Sequence, residues 1–398
     1  MRANLDSVPY SVYVHIPFCQ TRCAYCDFNT YAGQQDRIPA YVSALLAEIR
    51  AVAGSSRERL GVHTVFFGGG TPSLLPVASL GEILATIGAC FDLDPGAEIS
   101  LEANPGTVSA DGLKALRQAG FNRLSLGMQS AKPEELRLLQ RGHSTLDVIQ
   151  AVRWAREAGF ENVNLDLIYG IPGQTLNDWQ TSLRLAIEMG VEHLSLYALG
   201  IEEGTPFYHW VRKGLVEDTD DDLAADEYEW ATEALEEAGF RQYEISNWAR
   251  VDAGGRWWRC RHNEQYWYDL PYLGFGAGAH GFAGGVRTIN AMGIQGYVRR
   301  CELKGSGTFP VGPATIEAKP IDRWTEMQET MMVGLRLTDE GVSKETFLRR
   351  FGVPMGSAFG EPLSALMEKG LLEDAGDRVR LTRRGRLLGN IVFREFVD

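Results

Sequence analysis

Nowhere in its 398 residues does the chain run 18 apolar residues together, which is about the length a helix needs to cross a bilayer. The stretch Met1 to Pro9 also lacks the apolar core of a secretory signal, so the expectation is a soluble, cytoplasmic protein. Positive charge is in short supply: 39 Lys and Arg face 52 Asp and Glu, a formal net charge of −13. A molecule of that sign repels phosphate backbones, so nucleic acid is not expected as a partner. Cysteine is scarce too. Six in the whole chain make no disulfide framework. Yet Cys19, Cys23 and Cys26 fall within eight positions, while Cys90, Cys260 and Cys301 are scattered. In a reducing compartment such a cluster points to metal binding or catalysis.

With 44% hydrophobic residues the chain can bury a large core and divide into more than one domain. Ile38, Tyr41, Val42, Leu45, Leu46 and Ile49 share one helical face. A series of similar joints follows, in which a helical pattern ends at Gly120, Gly159, Gly190 or Gly239 and a strand pattern begins. Glycine just past a helix supplies the left-handed residue that turns the chain back. Strands are predicted at 12–16, 64–67, 99–103, 123–128, 163–169, 193–197 and 242–245. Strands alternating with helices imply parallel βα units, and six of them between residue 10 and about 200 imply an α/β sheet curling into a full or partial barrel. A doubly wound open sheet is the competing architecture.

Barrels of this kind place their chemistry at the carboxyl ends of the strands. Here the first strand runs into the cysteine loop, the second into Gly68-Gly69-Gly70-Thr71-Pro72, and the third into Glu102-Ala103-Asn104-Pro105. The fourth reaches Gln129, the fifth carries Asp166, and the sixth ends near Tyr197. Domain boundaries are expected at 1–200 for the barrel with its cysteine loop and at 201–320 for an irregular, Trp-, Tyr- and Gly-rich segment closing it. The remainder, 321–398, reads as three helices and a short hairpin, a winged-helix-like domain. Arg378, Arg380, Arg383, Arg384, Arg386 and Arg394 make that tail locally basic, either a solvated face or a contact for an acidic partner or anionic lipid.

Three thiolates at spacing x3 then x2 can wrap one small inorganic core, because soft sulfur suits iron–sulfur clusters and zinc alike. A structural zinc wants a fourth ligand nearby, and only His15 or distant cysteines offer one. A 4Fe-4S cubane on three thiolates instead keeps one iron open.

The cysteine loop followed by Gly68 to Pro72 resembles the radical S-adenosylmethionine proteins. The longer runs Tyr13-Val14-His15-Ile16-Pro17-Phe18-Cys19, Leu124 to Ser130 and Asp166 to Thr175 are similar to the branch that contains oxygen-independent coproporphyrinogen III oxidase and the radical SAM heme chaperones. The likeness extends over almost the whole chain. It implies a partial (β/α)6 TIM-like barrel with a 4Fe-4S cluster on Cys19, Cys23 and Cys26. S-adenosylmethionine would chelate the open iron through its amino and carboxylate groups. An electron from a reductant such as flavodoxin or ferredoxin would then cleave the sulfonium to a 5′-deoxyadenosyl radical. By the same likeness Tyr13, Gly69, Gly70, Thr71, Glu102, Gln129, Arg141 and Asp166 line the nucleotide site, with Tyr25 beside the cluster. For each residue alone, a structural role at a strand end is the plain alternative.

Within that branch an oxidase competes with a carrier that binds heme and delivers it to acceptor proteins, membrane-bound respiratory proteins among them. Three features lean to the carrier. Phe28 stands two residues after the third cysteine, where the oxidase pattern has another cysteine; only 18 residues precede Cys19, where the oxidase has a longer extension; and Arg261-His262-Asn263-Glu264-Gln265-Tyr266-Trp267 matches the chaperone signature His-Asn-x-x-Tyr-Trp. His262 is the candidate heme ligand, with Tyr266 and Trp267 packing on the macrocycle, against the alternative that His-Asn simply hydrogen-bonds the backbone. A radical SAM enzyme acting on heme shares the same front half and stays open.

Overall fold

The computed structural model describes residues 8–303 and 307–397. Residues 1–7, on which part of the amino-terminal reading rests, lie outside them. Six parallel strands form the frame: β1 (Tyr10–Ile16), β2 (Gly61–Gly69), β3 (Asp92–Ala103), β4 (Arg123–Gln129), β5 (Asn162–Tyr169) and β6 (His193–Ala198). They lie side by side in sequence order. A doubly wound sheet would reverse its order at a switch point; an unbroken run is what a barrel requires, so the partial (β/α)6 barrel stands.

Local sequence accounts for the connecting helices. Ser144 and Asp147, and Thr175 and Asp178, form reciprocal capping boxes that start helices Thr145–Glu157 and Leu176–Glu188. The glycines at the four predicted joints all take positive φ. Val12, Val14, Val65, Phe67, Leu101, Leu124, Leu126, Leu165 and Leu194 bury completely between strands and helices, so one face of each strand is spent on the core and the other on the lumen.

Residues 201–320 are more regular than expected. They add β7 (Phe240–Glu244) and β8 (Asn247–Arg250) beyond β6, and β9 (Tyr272–Phe275), β10 (His280–Ala283), β11 (Val286–Asn290) and β12 (Thr315–Pro320) beyond β1, giving one sheet of 12 strands in the order β12-β11-β10-β9-β1-β2-β3-β4-β5-β6-β8-β7. Glycine obscured the pairing. A Cβ on Gly274 would lie 1.9 Å from the His280 carbonyl oxygen and one on Gly281 2.8 Å from Thr288 Oγ1. Only residues without side chains let these strands close, and glycine is what makes a strand illegible from composition.

Glu48, on helix Ile38–Ser55, ties this edge to the barrel by accepting from Gly276 N–H at 2.9 Å, Tyr297 Oη at 2.6 Å and Asn290 Nδ2 at 2.6 Å. Burial pushes its carboxyl up from 4.5 to about 7, outweighing those three donors. A folded state that holds this proton is favoured below pH 4.5, and the contribution is lost as pH rises through about 7. Glu48→Gln is therefore expected to flatten, without abolishing, the fall of the melting temperature over that window. Glu102, Glu227 and Glu264 are also raised to about 7 and keep part of the slope. Thermal unfolding across pH checks it; an unchanged slope refutes it.

A second apolar cluster runs from Met327 to Phe396. Helices Arg323–Gly334, Lys344–Phe351 and Met355–Glu368 pack there with β13 (Val342–Ser343), β14 (Leu372–Ala375) and β15 (Arg378–Leu381), in the order β13-β15-β14. This is the winged-helix-like arrangement expected. Much of its basic tail is internally paired: Arg380 with Glu373, Arg378 with Glu340 and Arg383 with Glu236, while Arg386 donates to Gln242. No helix among the described residues is long and apolar enough to cross a membrane.

Candidate active site

The cysteine loop leaves β1 through a short parallel pairing of Phe18–Cys19 with Tyr31–Ala32. Cys26 N–H donates to the Cys23 carbonyl at 3.2 Å, and Ala24 is held from both sides, by Leu139 O at 3.4 Å and by Phe207 N–H at 3.0 Å. Each thiol has a donor or hydroxyl nearby. Thr71 Oγ1 points at Cys19 Sγ from 3.8 Å, Thr30 Oγ1 lies 3.8 Å from Cys26 Sγ, and Arg141 Nη1 donates to Cys23 Sγ at 3.4 Å. Burial first, then the neighbouring thiols, raises the Cys19 thiol, a cost that binding to iron removes because the thiolate is the ligating form. All six cysteines are free. Among the described residues no three His, Cys, Asp or Glu side chains gather tightly enough for a single metal ion; a cubane, larger, takes each thiolate on a different corner. The soft donor set, the cation beside it and the glycine walls described next fit such a cluster.

The loop after β2 wraps the cysteines from below. Gly70 N–H donates to Ile16 O and Thr71 N–H to Phe18 O, both at 2.8 Å. A Cβ on Gly70 would sit 2.6 Å from Phe18 O and 3.0 Å from Cys19 Sγ. Gly69 has φ +115°, and a Cβ there would lie 2.5 Å from the His15 ring. That ring is fixed: Nε2–H donates to Asn29 O and Nδ1 accepts from Tyr13 Oη, each at 2.9 Å.

Glu102 and Asp166 meet across the lumen. Glu102 Oε2 accepts from Gly69 N–H at 3.0 Å, and burial, then Asp166, raises its carboxyl to about 7. Asp166 accepts from Ser125 Oγ and Asn164 Nδ2, each at 2.9 Å, and burial raises it as well. They share a cavity of about 140 Å³ with Tyr13, Phe66, Arg123, Ser125, Asn164, Ser195, Tyr197, His262, Asn263 and Tyr266. Gln129 takes φ +63° at the end of β4, and Arg141 Nη2 donates to Gly127 O at 3.1 Å while its Nε is buried without a partner. Tyr25 packs beside Ala24, Leu139 and Ile168. Tyr13, Glu102, Asp166 and His262 thus line one cavity, whereas Arg141 and Tyr25 stand with the cysteine loop and Gln129, beside Gly127 with Arg141, lies outside that lining.

His262 enters from the opposite end of the lumen. Glu98 accepts from the N–H groups of Arg261 and His262 at 3.1 Å, capping helix Arg261–Trp267. Thr64 Oγ1 donates to Ser11, so His262 Nδ1–H donates to Thr64 at 2.8 Å and Nε2 accepts from Tyr266 Oη at 2.9 Å. Both ring nitrogens are engaged, and burial lowers the imidazole to about 3. Trp267 faces elsewhere, under the Arg336 guanidinium at 4.5 Å. Sequence reasoning passed over Arg123, Ser125, Asn164 and Ser195. Their signal was there: Arg123-Leu-Ser125, Asn164-Leu-Asp166 and Ser195-Leu-Tyr197 alternate polar and apolar inside otherwise buried strands, the period of a polar lumen.

The class is set by two sequence families: the Radical SAM superfamily matches residues 13–186 and the HemN C-terminal domain residues 321–388. In structure the chain is similar to coproporphyrinogen III oxidase HemN from Escherichia coli, a radical SAM enzyme, with TM-score 0.81 and 25% identity over 98% of this chain and 90% of that one. Among curated proteins it is 39% identical to heme chaperone HemW of Bacillus subtilis over 97% of this chain and 99% of the relative, and 41% identical to that of Mycobacterium tuberculosis over 98% and 96%. It is also 35% identical to the mitochondrial radical S-adenosyl methionine domain-containing protein 1 of Bos taurus, over 91% and 81%. The chain belongs to the HemW family, within the radical SAM superfamily, and with that membership come a 4Fe-4S cluster and S-adenosylmethionine as cofactors.

Proposed function

We propose that the protein is a cytoplasmic heme carrier that binds heme and passes it to acceptor proteins, membrane-bound respiratory proteins among them. The observation that carries this reading is the likeness, at 39% and 41% identity over nearly the full chain, to relatives named heme chaperones. Phe28 supports it: the residue two past Cys26 is 64% exposed and carries no thiol. Cys19, Cys23 and Cys26 would hold the cluster, and Tyr13, Tyr25, Gly69, Gly70, Thr71, Glu102, Gln129, Arg141 and Asp166 the S-adenosylmethionine. Gly69 and Gly70 leave room at the cluster, Arg141 offers a cation to a carboxylate, and Ser125 and Asn164 aim the Asp166 oxygens that can accept ribose hydroxyls. When bound, S-adenosylmethionine supplies one-electron chemistry, fed by a reductant such as flavodoxin or ferredoxin.

The oxidase reading rests on the HemN-like architecture. Anaerobic reconstitution followed by heme titration, with a parallel coproporphyrinogen III assay under a competent electron donor, separates the two. Stoichiometric growth of a Soret band without protoporphyrinogen IX is the expected result. Turnover without tight heme binding would make this an oxidase with an atypical loop.

A further inference from the structure

If heme is the cargo, the lumen is a poor place for it. The cavity of about 140 Å³ beside His262 is lined by the Tyr13, Glu102 and Asp166 that S-adenosylmethionine would use, and Thr64 and Tyr266 already engage both imidazole nitrogens. A second hollow, of about 580 Å³, opens on the outer flank of the cysteine loop, lined by Arg22, Gly204, Pro206, His209, Trp210 and Lys213. Arg22 lies between Cys19 and Cys23. Helix Pro206–Arg212 rests on the same loop: Phe207 N–H donates to Ala24 O at 3.0 Å, and Trp210 packs on Phe207 with ring centroids 5.8 Å apart.

The charge around this hollow is unspent. In a chain with a net charge of −13, none of Arg22, His209 and Lys213 pairs with a carboxylate among the described residues. The Arg22 guanidinium reaches only the Phe28 carbonyl, at 3.5 Å. His209 is exposed, and its ring touches Tyr208 edge-on at 5.7 Å. Two cations, an imidazole and an indole around one hollow of this size match one ligand chemistry: a flat, apolar metal-bearing ring with carboxylate arms.

We propose, on the reading of the protein as a heme carrier, that this hollow is the porphyrin site, with His209 ligating the iron, Trp210 against the ring, and Arg22 and Lys213 taking the carboxylates. Ligation forms one Fe–N bond from the imidazole lone pair and changes no oxidation state. The arrangement also places the cargo against the loop that carries the cluster, so the two groups share one wall.

The test titrates the reconstituted protein with heme and, separately, with iron-free protoporphyrin IX, in wild type, His209→Ala, Lys213→Ala and His262→Ala. His209→Ala is expected to move the Soret maximum and weaken heme about tenfold or more, leaving iron-free porphyrin unaffected. Lys213→Ala is expected to weaken both porphyrins about tenfold, the size of one hydrogen bond to a charged group, without moving the band. Cluster iron and sulfide stay at wild-type levels in both variants. A wild-type-like His209→Ala beside a His262→Ala that loses the band overturns the site while leaving the carrier reading intact. A Lys213→Ala protein with unchanged porphyrin affinity but slower cluster reduction by flavodoxin also overturns it, making the hollow a docking face for the reductant. Failure of the wild type to bind heme removes the carrier reading itself, and the site with it.

Discussion

Cys23→Ala is expected to leave the anaerobically reconstituted protein without its cluster: acid-labile sulfide and cluster iron fall to background, and the broad absorbance at about 400 nm typical of iron–sulfur protein disappears. The argument is coordination. Cys19 and Cys26 alone cannot hold a cubane whose fourth corner is already kept for a ligand. The Arg141 guanidinium, 3.4 Å from Cys23 Sγ, would lose the thiolate it faces and repel an underligated iron core. Fold and loop should persist, because Ala24 and Tyr25 are held by Leu139, Phe207 and Ile168 rather than by the thiols. Cys90→Ser, at a half-buried thiol with no neighbouring cysteine, is the matched control and should retain full iron and sulfide. Retention of iron and sulfide in Cys23→Ala would overturn the ligand assignment. If the hollow beside Arg22 takes porphyrin, Cys23→Ala should still bind heme, since the wall that the loop supplies is held without the thiols.

How much of this site is legible in the amino-acid sequence depends on how local each signal is. The cysteine spacing, the glycine run after β2 and the carboxylates at the ends of β3 and β5 are local, and each falls where strand-end chemistry is expected. The parallel order of β1 to β6 is likewise legible, because the glycine joints recur. The strands at the far edge are not, since β9 and β10 pair through Gly274 and Gly281 and carry almost no periodicity. The lumen is legible in part. Asp166 stands out as a charge in an apolar strand, whereas Ser125, Asn164 and Ser195 become a site only when three strands align them. His262 carries a motif, but its partners Thr64, Glu98 and Tyr13 come from strands far away in sequence, so no spacing argument tells a ligand from a structural histidine. The hollow over the cysteine loop has no motif at all; Arg22, His209 and Lys213 meet only because helix Pro206–Arg212 packs on the loop.

Arg350→Ala is the substitution expected to cost the most stability. The side chain is nearly buried, and its guanidinium donates to Asp269 Oδ2, Asp269 O and Glu326 Oε1, all at 2.9 Å from Nη2. Removing the cation leaves two carboxylates buried together, a loss on the order of 3–5 kcal/mol. Burial already raises Asp269 to about 6 despite the arginine. Without it Asp269 is pushed further up, so the variant should recover stability as pH falls through about 6, in the direction the intact Asp269 already takes but more steeply. The consequence reaches the site. Asp269 comes just past Tyr268, the residue that caps helix Arg261–Trp267, and holds a left-handed φ of +51°, a turn that Arg350 and the Thr330 hydroxyl clamp to the winged-helix-like domain. Once that clamp opens, the helix that presents His262, Asn263 and Tyr266 to the lumen loses its carboxyl-terminal anchor while Glu98 still holds its start. Chemical denaturation at two pH values, read by tryptophan fluorescence with Trp267 as the local probe, should show the variant unfolding earlier and regaining part of the loss in acid. Wild-type stability in Arg350→Ala would mean that the two domains are held together by their apolar contacts alone.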